Sequence, residues 1–551
     1  MADAPARSPT CSAREWCFVL AFSALALAIT SIPYALGAAM ATESRVFGGF
    51  LYAVEDCYSY LAKMRQGAAG AWLFHIAYTP EPHPGALFVP FHLLLGKVAA
   101  LVPGGDLTAH MVWVYHTARV VCGLVLLLAV YRFLAEFTGQ VAVRRLAWLM
   151  VTLGGGLGWL LIALGQPNWL GSPPLDLYLP EGFAFLALYG FPHIAAAQSL
   201  LLAGLLLLLR AWNSGYGTRN TQHAARFTFH VPRPYRSVSL AGLAWLLMGL
   251  IVPFYVPVAW AVTGAAWLAL GLRQRRLPWR EGLLAGGAAL VAAPIVVYSG
   301  WMFATNPVYA TWAAQNQILS PHPLHYLAAY GAPLVLAGLA ARHAWREEKM
   351  GWLLLAWVGL APVLAYLPFS LQRRLVAGVQ VPLSLLAAMG AMPSRHLAQR
   401  CLAIALLATM LPTSLFLVAS SSAWMFDTPP PAFREAAEVA ALDWLSGQVQ
   451  AEDVVLAAYD TGSYLPVRVV ARVFLGHGLE TVDAQEKEAL LAHFFDGATD
   501  DARRQHLLAQ YGVDYVFWGP AERALGGFDA GHVPYLKPLY SAGGTTVFEV
   551  R

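Results

Sequence analysis

Two adjacent carboxylates, Glu55 and Asp56, open the stretch VEDCYSYLAKMRQGAAGAWLF (54–74) in a chain that is otherwise poor in charge. Carboxylates in a first helical turn are stabilised by the helix dipole by roughly 0.3–1 kcal/mol, which is already a structural reason for them. Their neighbours add a chemical one. On a helix, Asp56, Tyr60 and Lys63 share a face at i, i+4 and i+7, and the segment runs on into YTPEPHPG (78–85), which adds Glu81 and His83. Such a group can take up a proton and hold a polar substrate.

Cationic candidates lie elsewhere. Arg373 and Arg374 in LPFSLQRRL (367–375) sit where long basic side chains could simply snorkel to water. They could equally grip phosphate oxygens, which match the planar guanidinium fork. Arg119 in YHTARV is a second candidate for the same role. His193 in YGFPHIAAAQ, with Glu181 twelve residues earlier, and His322 and His325 in SPHPLHY fall at expected helix ends or loops. A lone histidine is more often structural. Histidines and carboxylates drawn from several loops could bind a divalent metal, although their spacing follows no metal motif.

These residues need a scaffold, and composition says what kind. The 551 residues are 58% hydrophobic and 12% charged, with mean hydropathy +0.54, whereas a soluble chain carries about a quarter charged residues. Lipid is the solvent this composition fits, and helices of about 20 apolar residues are the elements that cross it. Net charge is +4, without a dense basic block that would suit nucleic acid. The five cysteines form no CxxC and no disulfide framework, and none follows Cys401. ALGAAMA (35–41) resembles a signal-peptidase site, but the apolar run before it is long for a signal peptide, so an uncleaved first helix is expected.

Eleven spans are expected, at 16–38, 108–131, 146–164, 191–210, 238–253, 256–272, 282–302, 324–341, 350–367, 375–392 and 401–419. The 238–272 region divides because PFYVP (253–257) carries two prolines. GGGLGW (154–159) falls within a span, where small residues let helices pack closely. With the N-terminus in the cytoplasm, the inner loops hold Arg7 and Arg14, Arg132 to Arg145, Arg210 to Arg236, Arg273 to Arg280, Arg342 to Lys349, and Arg395 with Arg400. That is the positive-inside pattern. It places outside the long first loop 39–107, which carries Glu55 and Asp56, and residues 420–551. An apolar half-span at 87–102 is expected to lie on or re-enter the membrane surface.

Composition changes after Ala419. DTPPP (427–431) reads as a linker, AFREAAEVAALDWL as a helix, DVVLAAY (453–459), VDYVFWG (513–519) and TTVFEV (545–550) as strands, and 483–496 and 500–511 as helices. This alternation predicts a small α/β domain. LGHG (475–478) is too weak for a phosphate loop. Tyr, Trp and Asp residues here could bind sugar, though packing explains most of them equally well.

With these motifs in view, the chain resembles the GT-C superfamily of membrane glycosyltransferases, such as protein O-mannosyltransferases and aminoarabinose transferases. The resemblance rests on the acidic ED (55–56) after the first span, on YTPEPHPGALFVPFHLLLGKVAAL (78–101), on YHTARVVCGLVLLLAVYRFL with an arginine near its outer end, and on a closing outer domain. The order Glu-Asp differs from the Asp-Glu of many relatives. The resemblance implies a polytopic helical GT-C-like domain (1–419) with an extracytoplasmic α/β domain (420–551). It also implies a polyprenyl-phosphate sugar as donor and a glycan, lipid or protein as acceptor, used on the extracytoplasmic side. Asp56 would then be the general base, with Glu55 positioning the acceptor or helping a metal bind. Tyr60, Lys63, Glu81, His83 and His193 would contact substrate, and Arg373, Arg374 and Arg119 the donor phosphate.

The rival class is a transporter or flippase, which is also polytopic. No internal repeat is visible, and the candidate charges collect at one surface. A scaffold with an outer binding domain is a third class, but it would leave the acidic loop and the arginines without a common purpose. Compact inner loops and the lack of a retention signal point to a bacterial plasma membrane.

Overall fold

The computed structural model describes residues 11–214, 233–346, 350–392 and 397–551. Arg7, Arg219, Arg226, Lys349 and Arg395 lie outside the described residues. The chain divides into two compact units. One comprises Met1–Ser31, Arg119–Gly300 and Gln317–Ala419, and the other Ile32–Ala118, Trp301–Asn316 and Ser420–Arg551. The second unit therefore draws the first loop and the C-terminal region into one body, although they lie hundreds of residues apart.

Among the described residues, eight helices are long and apolar enough to cross a membrane: Ala13–Ala39, Leu107–Phe137, Pro192–Asn213, Pro234–Ile251, Tyr255–Gln274, Trp279–Thr305, Leu324–Arg346 and Ala403–Asp427. Each overlaps an expected span. Two more expected spans are shorter apolar helices, Gly351–Ala365 and Gln380–Ala391. PFYVP separates two helices, the first ending at Ile251 and the second starting at Tyr255, as its prolines require.

The remaining expected span, 146–164, is interrupted in the first unit. One helix ends at Leu153 and the next begins at Gly158. Freed backbone N–H groups need acceptors when buried, and Asp176 provides one. Its Oδ2 accepts the N–H of Gly156 at 2.7 Å, the N–H of Gly158 at 3.0 Å and the Thr413 hydroxyl at 2.8 Å. The glycines do permit close approach: a Cβ on Gly156 would lie 2.5 Å from Ala329 Cα. They do so at a break in the helix rather than along a continuous one.

In the second unit the acidic helix Val54–Ala68 crosses the helix Pro90–Ala100 backbone to backbone. A Cβ on Gly67 would meet the Leu93 carbonyl oxygen at 2.0 Å, and one on Gly96 the Met64 carbonyl oxygen at 1.8 Å. The half-span expected at 87–102 is this second helix, which buries Leu93, Gly96 and Ala99 and leaves Leu94, Val98 and Leu101 exposed.

The strands of the second unit are β1 (Arg45–Phe47), β2 (Phe433–Glu435), β3 (Val454–Leu456), β4 (Arg472–Val473), β5 (Tyr515–Trp518), β6 (Leu536–Ala542) and β7 (Thr545–Val550). Strand β1 pairs antiparallel with β2, Phe47 opposite Phe433. The other five form one sheet in the order β4-β3-β5-β7-β6, with β3 parallel to β4 and β5, and β7 antiparallel to β5 and β6. Its core includes Leu456, Phe474, Phe494, Val516 and Phe548. The three strands legible in sequence are β3, β5 and β7, and the expected helices 483–496 and 500–511 appear as Ala484–Phe495 and Asp501–Tyr511. The helix expected from AFREAAEVAALDWL starts only at Ala436, because its first residues are spent on β2.

The glycine crossing generates a prediction. Gly96→Val places a branched side chain against the Met64 carbonyl, and overpacking of this kind costs about 1–3 kcal/mol or more. The thermal denaturation midpoint of the purified variant in detergent is expected to fall clearly below wild type, whereas Gly264→Ala, at an open helical position, leaves it near wild type.

Candidate functional site

The acidic helix begins without a side-chain cap, from Ala53 in the left-handed region (φ 46°), and carries Glu55 and Asp56 in its first turn. The C-terminal segment of the same unit meets that turn. Glu55 Oε1 accepts a short hydrogen bond from the Tyr459 hydroxyl and the N–H of Gly478 at 3.1 Å. The Gly478 N–H also lies 2.8 Å from the Tyr459 oxygen. Glu55 is thus held by a clamp of two donors. Asp56 projects differently. Its side chain is 45% exposed, and its Oδ1 lies 3.6 Å from Nε2 of the buried His477.

One and two turns further along, the helix sends Ser59 and Lys63 into the interior. Lys63 Nζ donates to Glu480 Oε1 at 2.5 Å and to Ser59 Oγ at 2.8 Å, and Ser59 Oγ lies 3.1 Å from the same Glu480 oxygen. Glu480 is 6% exposed. Burial alone would raise its pKa, but the charges of Lys63 and His477 and the hydrogen bonds from Lys63 and Ser59 outweigh it and hold the carboxyl below its ordinary value. For His477, burial opposes the charged form. The close approach of Asp56 and the charges of Glu480, Asp56 and Glu55 prevail and raise its pKa above the ordinary histidine value.

The other expected site residues fall into separate surroundings. Tyr60 stacks on His92, with ring centroids 4.7 Å apart and planes 11° apart. Glu81 accepts the buried Lys487 ammonium at 2.6 Å and a short bond from the Thr79 hydroxyl. His83 accepts the Ile76 N–H at Nε2 and faces the Glu81 carbonyl through Nδ1, so both ring nitrogens are used within the loop. Lys63 is buried against Glu480 and faces the interior.

In the first unit, Arg373 and Arg374 lie on a short 3-10 helix, Gln372–Val376. The Arg373 guanidinium stacks on Tyr178 at 4.6 Å and reaches its hydroxyl at 3.3 Å. Arg374 Nε is 3.4 Å from Glu181 Oε1, with its side chain 33% exposed. Arg119 is buried and donates to Thr30 Oγ1, Ser31 Oγ and the Leu188 carbonyl. These bonds tie helices together and leave Arg119 little access to a lipid phosphate. His193 is buried in the first turn of Pro192–Asn213. His325 faces the Trp169 carbonyl at 2.7 Å, and His322 Nδ1 accepts the Leu324 N–H. Among the described residues, no three His, Cys, Asp or Glu side chains come together to hold a metal ion.

Sequence reasoning missed Tyr459, His477 and Glu480. His477 stands in LGHG (475–478), which is too weak for a phosphate loop, and Glu480 lies two residues beyond it. The signal they did carry was a histidine and a glutamate in a glycine-broken stretch between apolar runs.

The pair also dictates a pH dependence. Because the folded-state pKa of Glu480 lies below the ordinary value of 4.5, its stabilising contribution is fully present above that value and is lost as pH falls through the folded pKa. The thermal midpoint of wild type is therefore expected to exceed that of Glu480→Gln at neutral pH, where the variant leaves buried Lys63 without its counter-charge. The gap narrows as pH drops below about 4.5. Thermal scans of both proteins from pH 7 to pH 3 check this; a gap that stays constant would count against it.

No protein-family model matches the chain, and no curated protein sequence matches it. Solved structures do. The apo oligosaccharyltransferase of Archaeoglobus fulgidus superposes with a TM-score of 0.53 at 13% identity, covering 97% of this chain and 74% of that one. The same enzyme tethered to an acceptor peptide gives 0.50 at 12% identity, covering 90% and 69%. The mycobacterial arabinofuranosyltransferase AftD gives 0.51 at 14% identity, covering 99% of this chain and 40% of that one. At these identities what is shared is the fold: this chain has the fold of that oligosaccharyltransferase and of AftD.

Proposed function

We propose that this protein is an integral-membrane glycosyltransferase that moves a sugar from a polyprenyl-phosphate carrier to an acceptor hydroxyl on the extracytoplasmic side, with Asp56 as general base. The observation that carries this reading is the fold shared with two glycosyltransferases, combined with a half-exposed carboxylate at the head of the acidic helix. The neighbouring carboxylate does not compete for the role. Glu55 is engaged by Tyr459 and Gly478, and a carboxylate in such a clamp orients the turn, whereas Asp56 remains open to solvent.

The chemistry needs little more. The acceptor oxygen attacks the anomeric carbon, the bond from that carbon to the phosphate oxygen breaks, and the phosphate leaves with the electron pair. The acceptor proton passes to Asp56. A positioned base contributes typically 10²–10⁴-fold. The leaving phosphate departs as an anion, so it calls for positive charge rather than for an acid, unlike a glycosidase with its two carboxyl groups. Arg373 and Arg374 are the residues proposed to meet it. Residues 1–419 would form the membrane-embedded catalytic part and 420–551 an extracytoplasmic domain, in a bacterial plasma membrane with the N-terminus cytoplasmic. The acceptor would be a glycan, a lipid or a protein.

The test is turnover. Purified protein in liposomes, given a panel of polyprenyl-phosphate sugars and mixed acceptors, is expected to release free polyprenyl phosphate. Asp56→Asn should lower kcat by about 10²–10⁴-fold with donor binding retained. Arg373→Ala with Arg374→Ala should instead weaken donor binding. Intact movement of the lipid-linked sugar across the bilayer without release would overturn the reading in favour of a flippase, and an Asp56→Asn protein of normal rate would overturn the assignment of the base.

A further inference from the structure

Two histidines of the second unit, His83 and His477, are wired differently. His83 uses both ring nitrogens on backbone groups of its own loop, as a structural histidine does. His477 does not. Its Nδ1 accepts the backbone N–H groups of Leu479 at 3.3 Å and Glu480 at 3.2 Å, which leaves the ring proton of the neutral form on Nε2. That edge faces Asp56 Oδ1 at 3.6 Å, and among the described residues Nε2 has no hydrogen-bond partner within bonding distance.

The ring itself cannot turn easily. It is buried, it lies against Tyr78 with centroids 5.5 Å apart, and it heads a tight turn in which its carbonyl accepts the N–H of Glu480 at 3.1 Å and of Thr481 at 2.8 Å. The side chain of that same Glu480 is fastened to Lys63 on the acidic helix. The ion pair therefore fixes the histidine-bearing turn against the helix that carries Asp56, two turns away from it.

We infer that His477 is the positioning residue for the base: its Nε2–H, held in place by the Lys63–Glu480 pair, orients the Asp56 carboxylate and favours its ionised form. The inference rests on the reading of Asp56 as base. Hydrogen bonds of catalytic groups are often long before substrate binds and shorten in the complex, which is the behaviour expected of the 3.6 Å contact. Charged and titratable groups around the imidazole are Asp56 and Glu55 from the acidic helix, Glu480 in its own turn, itself paired with Lys63, and the phenol of Tyr78.

The experiment separates this claim from the activity. The carboxyl region of the infrared spectrum is titrated for the full-length protein in lipid, with Asp56→Asn identifying the Asp56 band. His477→Leu and His477→Phe remove the donor, one by a smaller and one by a ring-shaped side chain, so that at least one preserves packing. His477→Gln retains an N–H donor near Nε2. Loss of a hydrogen-bond donor to a carboxylate raises its pKa, so the Asp56 band in the Leu and Phe variants is expected to titrate about one pH unit higher, a tenfold change in proton affinity, with His477→Gln closer to wild type. In the transferase assay the acid limb of kcat should move up by the same amount while KM for donor stays near wild type. An Asp56 band that titrates at the wild-type position in both donor-less variants overturns the inference. Because the band is read without turnover, absence of transferase activity in wild type would sink the proposed function while leaving this result readable.

Discussion

The second unit is organised around a buried ion pair, Lys63 with Glu480, and its other features follow from the need to match those two charges. A lysine and a glutamate inside a protein each carry a desolvation cost of several kcal/mol, and only close pairing with further hydrogen bonds offsets it. Ser59 supplies part of that completion. The partners are 417 positions apart, so the match can form only when the first loop and the C-terminal region fold as one body. Pairing of β1 with β2 joins the same two stretches of chain, and so does the Tyr459–Glu55 bond. A pair of this kind stabilises less than an apolar contact of the same size would, but it specifies which surfaces meet.

The pair also accounts for the difference between Glu55 and Asp56. Both stand in one helical turn, and in the sequence only the family resemblance and the Asp56–Tyr60–Lys63 face separate their roles. Once the turn 477–481 is fixed against the helix, Gly478 and Tyr459 fall on Glu55 and the imidazole edge falls toward Asp56. One carboxylate becomes part of the frame and the other faces solvent with a histidine behind it. In the proposed reaction this is the useful division, since a base must be open to its substrate while the turn that carries it stays still.

Much of this was legible in the sequence, and what was not has physical causes. Helices such as Pro192–Asn213 and Trp279–Thr305 announce themselves by length and apolar composition, and the prolines of PFYVP mark their turn. The acidic pair stood out against a chain with few charges. The break at Gly154–Leu157 did not, because it depends on Asp176 and Thr413 arriving from elsewhere in the sequence. Strand β6 was missed because it is an edge strand with most side chains at least partly exposed, so it lacks the apolar pattern that revealed β3, β5 and β7. Arg119 looked like a phosphate ligand from its place near a helix end, whereas its surroundings hold three acceptors that use its donors. For Glu480 and His477 the local pattern is only a histidine and a glutamate in a glycine-broken stretch; their meaning lies in a contact with residues some 400 positions away.

The measurement that bears most directly on the central claim is a structure of the protein in lipid with a polyprenyl-phosphate sugar whose anomeric bond resists cleavage. The account predicts density for the sugar beside the Asp56 carboxylate, with the acceptor side of the anomeric carbon open to its oxygens and Glu55 still clamped by Tyr459 and Gly478. Sugar density bound away from the acidic helix, with Asp56 facing only solvent, would contradict it.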